Sequence, residues 1–242
     1  MTKPPIGQAD GKKAHVEAMF DDIAPRYDLV NRVFSGGMDV WWRKRAVALL
    51  ADALQGPPER LLDIATGTAD IAVEALSLNP QEVIGIDISD GMLELGREKL
   101  SRKGLHSRVR LVQGDAADLP VEDDSADGAF VGFGVRNFEN LQQGLRGIRR
   151  ALKPGAPVVI LETSQPERAP FTWGYRFYTR QVLPRLGRAL SGNAEAYQYL
   201  PESAAQFPYG DAFLDELRAA GFTDVVAQPL TLGVVSLYRG LA

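Results

Sequence analysis

Apolar and polar positions along the chain follow two alternating rhythms. Five short runs, RLLDIA (60–65), EVIGIDI (82–88), RVRLVQ (108–113), DGAFVGF (127–133) and PVVILE (157–162), are branched and nearly continuous, as in strands buried on both faces of a sheet. Between them lie segments of helical length and composition: IAVEALSLN (71–79), GMLELGREKLSRKG (91–104) and NLQQGLRGIRRALKPG (140–155). The last two close on Gly104 and on Pro154-Gly155, as helices tend to. The repeated β-α order predicts an α/β chain: a mostly parallel sheet with right-handed crossovers and helices on both faces. After residue 207 the order becomes helix (GDAFLDELRAAG), strand (FTDVVAQP) and strand (LTLGVVSLY). The link between the last two is so short that they must run antiparallel. The stretch 163–207 interrupts the alternation, and the first dozen residues are loosely patterned.

Composition narrows the chemistry. A chain of 242 residues, 45% hydrophobic and 24% charged, suits one large domain. No run reaches the roughly 18 apolar residues of a membrane span, and the polar start MTKPPIGQADGKKAHVEAMF differs from a secretory signal; a cytoplasmic location is expected. The absence of cysteine excludes disulfides, a thiolate nucleophile and a thiolate zinc site, and two histidines far apart make a metal centre unexpected. A net charge of -4 lacks the basic footprint of a general nucleic-acid binder.

The loop after the first strand reads D-I-A-T-G-T-A-D from Asp63. In a doubly wound sheet the ligand sits over the carboxyl ends of the strands, beside this first β-α turn, where small residues let backbone approach it. Gly67, between Ala65 and Ala69, meets that need. The loop lacks the G-x-G-x-x-G that holds a pyrophosphate, and Asp70 would repel one. The second strand ends in Asp87, placed to accept from ribose hydroxyls, and the third runs into QGDAADLP. There Asp115 can take up an exocyclic amino group while Ala116 leaves room for a flat base. Asp63, Asp87 and Asp115 at three successive strand ends together predict a negative pocket for a cationic adenosine compound, and S-adenosylmethionine is a sulfonium. Any one of them alone reads better as a cap or turn former, and the three together carry the pocket.

D-x-A-T-G-T-A-D, IGIDIS, QGDAADLP and KPGAPVVIL, spanning 60–239, resemble the class I S-adenosylmethionine-dependent methyltransferases. That resemblance implies a Rossmann-like, seven-stranded sheet whose last strand is antiparallel. YDLVNRVFSGGMDVWWRK (27–44), FGVRNFEN (133–140), RALKPGAPVVILETSQP (150–166) and LTLGVVSLYRG (230–240) resemble, more specifically, the family that C-methylates the quinol ring in ubiquinone and menaquinone biosynthesis. The likeness runs nearly end to end. It implies a single domain over 1–242: an N-terminal helical lid (1–50), a cofactor-binding core (60–162), a substrate- or membrane-facing insertion (163–207), and a C-terminal helix with an antiparallel strand pair (208–242). It also implies cofactor contacts at Gly67, Thr68, Asp87, Asp115 and Ala116, with S-adenosylhomocysteine as product and no metal. The family often has serine at Gly132 and glycine at Ala69 and Ala156; the helix after Ala69 is expected to need no positive φ there. Histidine is common at the position of Asp39, so no histidine role transfers.

Methyl transfer from sulfur to an aromatic carbon depends on positioning, and on a base or cation that favours the ring oxyanion. Arg136 and Asn137, after the fourth strand, are candidates to hold that oxygen, Arg136 being equally suited to a salt bridge. Tyr27 and Asp28, with Asn31, are candidates to orient or deprotonate the quinol, or else start and pack the lid. Trp41 and Trp42 are expected in the core. Residues 170–190 carry five aromatics, and residues 168–194 five arginines and no acid. That patch suits either transient contact with an anionic membrane surface, where a prenylated quinol resides, or a cover helix burying Leu183, Leu186 and Leu190. An adenine-directed nucleic-acid methyltransferase would carry Asn/Asp-Pro-Pro-aromatic where this chain has GFGVRN, and a nicotinamide oxidoreductase would need the missing phosphate loop. Naphthoquinol versus benzoquinol, oligomeric state, and a non-catalytic cofactor-binding module stay open at this stage.

Overall fold

A computed structural model describes residues 11–166, 172–174, 181, 203–204 and 206–242. Its sheet has seven strands in the order β3-β2-β1-β4-β5-β7-β6. These are β1 (Arg60–Ile64), β2 (Glu82–Asp87), β3 (Val109–Gln113), β4 (Gly128–Gly132), β5 (Pro157–Thr163), β6 (Thr223–Leu230) and β7 (Val235–Leu241). β1 through β5 pair in parallel, and β7 runs antiparallel to both β5 and β6. The chain reverses its direction of travel across the sheet between β1 and β4, so a cleft opens at their carboxyl ends.

Strand alternation assigns the two faces. Leu62 and Ile64 point, with Ile86, Val131 and Ile160, to the side covered by α5 (Leu141–Ala151) and α6 (Asp211–Ala219). Leu61, Val83, Phe130 and Val159 point to the other, covered by α2 (Met38–Ala53) and α3 (Asp70–Ala75). α4 (Asp90–Lys103) starts where the Ser89 hydroxyl accepts from the Met92 amide at 3.1 Å and ends on left-handed Gly104 (φ 68°). α5 stops at Ala151, three residues before the expected Pro154-Gly155, because Leu152 is already extended. The stretch 71–79 is helical only from Asp70 to Ala75, and a 3-10 turn follows. RVRLVQ is an edge strand with Arg110 in solvent and is not buried on both faces.

Beyond the loosely patterned first dozen residues, of which 1–10 lie outside the described residues, runs α1 (Lys12–Phe34), whose Val16, Met19, Ile23, Ala24 and Val30 form a separate small core with Met92 of α4. This apolar stripe at 3–4 residue spacing lays α1 across the top of the sheet. Trp42 is buried as expected, but Trp41 is 44% exposed, because it faces away from the sheet one position along α2. Arg176, Arg180, Arg185, Arg188 and the three leucines of the aromatic, basic stretch lie outside the described residues.

Candidate active site

The β1–α3 loop alternates handedness: Ala65 (φ 54°), Gly67 (φ 54°) and Ala69 (φ 68°) are all left-handed. The expectation that Ala69 needs no positive φ is thus overturned. An alanine in this region costs on the order of 1 kcal/mol, so other contacts must hold the loop. Asp63 supplies them: its Oδ2 accepts from the Thr66 hydroxyl at 2.6 Å and from the Ala72 amide at 2.9 Å. The Thr66 amide donates to the carbonyl of Ile86 at 3.1 Å and the Gly67 amide to Asp87 Oδ2 at 2.8 Å. The loop is therefore stitched to the end of β2.

These bonds also relocate Asp63. It lies on the Leu61 face of β1, under α3, and is not among the residues lining the cleft. Burial pushes its carboxyl up to about 7, against the hydrogen bonds from Thr66 and Ala72. The expected trio of pocket acids reduces to Asp87 and Asp115. Asp70 sits in the first turn of α3, where its carboxylate pairs with Lys99 at 2.8 Å and Arg43 at 3.1 Å. Burial opposes its ionisation, but these two cations outweigh it and its pKa is lowered. With that carboxylate in place and the Ala72 amide committed to Asp63, this helix start is closed to a phosphate.

The cleft lies over the carboxyl ends of β1, β2 and β4. Its floor is glycine-rich, with Gly67, Gly114, Gly132 and Gly134 from the strand ends. The close approach is real at Gly134, where a Cβ would lie 2.3 Å from that of Ala65. At Gly132 a Cβ would meet Ile71 Cδ1 at 2.2 Å, so the serine common at this position would require Ile71 to move. Asp87 stands on one wall, its Oδ1 accepting from the Ser89 amide at 3.0 Å. Burial raises its pKa, resisted by backbone donors at Ser89, Gly67 and Ile88. With three backbone donors on its two oxygens, the carboxylate keeps one lone-pair site open to a ribose hydroxyl. Asp115 and Ala116 line the far end beside Ile88 and Phe138, an acid next to flat apolar walls. Ala117 donates to Asp115 Oδ1 at 2.9 Å and Lys13 approaches Oδ2 at 2.7 Å. Burial works against the Asp115 anion, yet these partners lower its pKa. Acids at two strand ends, a glycine floor and apolar walls fit a cationic adenosine-bearing group.

The remaining expected residues divide. Tyr27 and Asn137 line the cleft. Burial raises the Tyr27 phenol, which keeps it protonated at neutral pH and able to donate. Thr68, Asp28 and Arg136 face elsewhere. The Thr68 hydroxyl donates to Asp28 Oδ1 at 2.6 Å, and Lys99 Nζ reaches Thr68, Asp28 and Asp70 at 2.8, 2.7 and 2.8 Å, fastening α1 to the loop. Arg136 turns back from the cleft, donating to Glu162 Oε1 at 2.6 Å and to the Phe133 carbonyl at 2.7 Å. Glu162 is fully buried. The pair holds Phe133, itself left-handed (φ 56°), and so shapes the turn carrying Gly134 and Asn137.

A helical lid over 1–50 was expected, but not the residues that roof the cleft. Val16 and Phe20 of α1 close the cleft from above, with Lys13 and Glu139 at its end. Lys12 Nζ donates to the carbonyls of Arg136 and Phe138 at 3.2 and 2.7 Å. The i, i+4, i+7 spacing of Val16, Phe20 and Ile23 was the available signal. Among the described residues no group of three or more acids or histidines is placed to hold a metal.

Comparison with known proteins agrees with this geometry. A SAM-dependent methyltransferase from Thermotoga maritima superposes with a TM-score of 0.63 over 94% of this chain and 99% of its own, at 20% identity, and so shares the class I fold. A demethylmenaquinone methyltransferase of Porphyromonas gingivalis is 42% identical over 95% of this chain and 94% of its own. A ubiquinone/menaquinone biosynthesis C-methyltransferase of Geotalea daltonii is 42% identical over 95% and 97%. With residues 8–242 also matching the model of the ubiE/COQ5 methyltransferase family, the chain belongs to that family and is an S-adenosylmethionine-dependent methyltransferase.

Proposed function

We propose that this protein methylates a ring carbon of demethylmenaquinol, a prenylated naphthoquinol, to give menaquinol. The observation that carries the reading is the family match over 8–242 together with near full-length relatives named for that reaction. The cleft supports it chemically. Asp87 and Gly67 would hold the ribose end of the methyl donor, and Asp115 with Ala116 the base. When bound, the donor supplies an electrophilic methyl on a cationic sulfur. The ring carbon becomes the nucleophile as its neighbouring hydroxyl approaches the oxyanion; a carbon–carbon bond would form as the methyl–sulfur bond breaks, its electron pair staying on sulfur in S-adenosylhomocysteine, and the ring proton would then pass to solvent as the ring regains aromaticity. Tyr27 and Asn137 are the polar side chains we assign to that oxygen. A protonated phenol and an amide hold it by donation, so neither serves as base. Arg136 acts indirectly by fixing their turn, and Asp28 and Thr68 by fixing α1. α1 forms a lid that keeps water from the sulfonium.

Transient contact with the inner face of the cell membrane completes the reading, since the substrate's tail resides there. The basic, aromatic stretch within 163–207 is one element of that contact. Among the described residues no helix is long and apolar enough to cross a membrane. Incubation with methyl-labelled S-adenosylmethionine and each prenylated quinol tests the substrate: label is expected in the naphthoquinol. Label in the benzoquinol alone would transfer the assignment to ubiquinone biosynthesis, and label in neither would refute quinol methylation.

A further inference from the structure

The described surface exposes few large apolar side chains, and most of them share one corner. Leu29 (58% exposed) and Val33 (40%) lie one turn apart near the end of α1, and Met38 (37%) and Trp41 (44%) one turn apart at the start of α2. Only Ser35, Gly36 and Gly37 separate the two helices, and Arg32 braces the corner through Asp39 at 3.4 Å. A fifth, Leu232 (64%), is tied to the same corner: the Trp42 indole N–H donates to the Thr231 hydroxyl at 2.8 Å.

The turn that presents Leu232 is itself unusual. Thr231 (φ 47°), Leu232 (φ 58°) and Gly233 (φ 90°) are left-handed in succession, a conformation that bulky or β-branched residues rarely adopt. Such strain persists where a use offsets it, and here it holds a leucine out in water. The patch also borders the cleft, for Trp42 packs against Phe133, a cleft wall, with ring centroids 6.0 Å apart.

Charge decides what covers this corner. Residues 26–45 carry five cations, Arg26, Arg32, Arg43, Lys44 and Arg45, against two acids, in a chain of net charge -4. Both acids are already paired, Asp28 with Lys99 at 2.7 Å and Asp39 with Arg43 at 2.8 Å. Lys44 and Arg45 are exposed beside Trp41. A twofold contact with a second copy would bring these cations face to face. An apolar tip with a tryptophan and a cationic collar instead matches an anionic bilayer surface, in which the side chains enter the acyl boundary and the cations meet the headgroups.

We infer that the α1–α2 corner and the β6–β7 turn form a membrane-docking wedge, separate in sequence from the 163–207 stretch, that seats the mouth of the cleft on anionic lipid. The choice of lipid as occupant rests on the prenylated-quinol reading. Co-sedimentation of the full-length protein with phosphatidylcholine vesicles, with and without phosphatidylglycerol, tests it. Replacing Leu29→Gln, Val33→Gln and Trp41→Gln together is expected to lower partition at least tenfold, with S-adenosylhomocysteine affinity unchanged. Lys44→Gln with Arg45→Gln should weaken binding only to the anionic vesicles. Should the triple variant fold poorly, brominated lipid decides: it should quench part of the parent's tryptophan emission, and the Trp41→Phe variant should lose that part. Partition within threefold of the parent, quenching indifferent to Trp41→Phe, or self-association without vesicle binding would each overturn the wedge. Turnover of a short-tailed, water-soluble demethylnaphthoquinol reads the chemistry without a bilayer. Its absence in the parent would count against the substrate reading, and the vesicle result would still decide the surface.

Discussion

The buried Asp63 carboxyl should make the protein less stable as pH rises, and the size of the effect follows from its surroundings. Burial moves its pKa from 3.8 to about 7. Below 3.8 the group is protonated in both folded and unfolded states and its contribution is fully present. Between 3.8 and about 7 the unfolded state releases the proton while the folded state keeps it, so stability falls; above that range the loss is complete. The whole shift corresponds to about 4 kcal/mol, of which roughly 2 kcal/mol falls between pH 5 and pH 7. At about 2–4 °C per kcal/mol for a protein of this length, that is a fall in Tm of roughly 5–9 °C from this one group. Asp63→Asn removes the titration while its carbonyl can still accept from Thr66 and Ala72. Its amide nitrogen would replace Oδ1, which has no partner among the described residues, at a pH-independent cost of about 1–3 kcal/mol. The variant can therefore start lower, and the slope is the readout. In scanning fluorimetry from pH 5 to pH 8, the Tm of Asp63→Asn should fall less steeply than that of the parent. Parallel curves for the two proteins would refute the protonated, loop-holding carboxyl.

Three further outcomes follow from the same geometry. Glu162→Leu strands the buried Arg136 guanidinium and should lower unfolding free energy in urea by about 3–5 kcal/mol, while adding Arg136→Met should recover much of it; no recovery would mean the pair is not the dominant interaction there. Gly134→Ala places a methyl 2.3 Å from the Cβ of Ala65, two backbone-fixed atoms, and should cost about 1–3 kcal/mol in stability and weaken S-adenosylhomocysteine in calorimetry, whereas parent-like behaviour in both would show the loop yields freely. Asp87→Ala removes the acceptor of the Gly67 amide and the proposed ribose contact together, and should weaken the same ligand at least tenfold, a loss of about 1.4 kcal/mol; unchanged affinity would place the ligand elsewhere.

What the sequence disclosed and what it hid separate by the range of the interaction. The strands, their parallel order and the antiparallel end were legible because each is written in a local run, and the passage from β1 to β4 fixes where a ligand must sit. Asp87 and Asp115 were readable for the same reason: Asp87 closes β2 and Asp115 lies two residues past the end of β3, so a local run marks each. Asp63 misled because its position at a strand end says nothing of the face it occupies. Counting by twos from Leu61 puts it under α3, and no reading of acids at strand ends detects that. Ala69 misled differently, since a positive φ in an alanine is imposed by the bonds of Thr66 and Asp63 and leaves no mark on composition. The roof of the cleft was the least legible part, because Lys12 reaches Phe138 across 126 positions and Thr68 reaches Asp28 across 40. Such contacts exist only once α1 lies across the sheet, and what lays it there is a weak apolar stripe that names no partner in the sequence. Arg136 shows the rule from the other side: by local sequence alone its guanidinium could face the cleft or Glu162, and a fully buried carboxylate 26 residues away decides the matter, because a buried acid without a cation costs more than a cleft without a guanidinium.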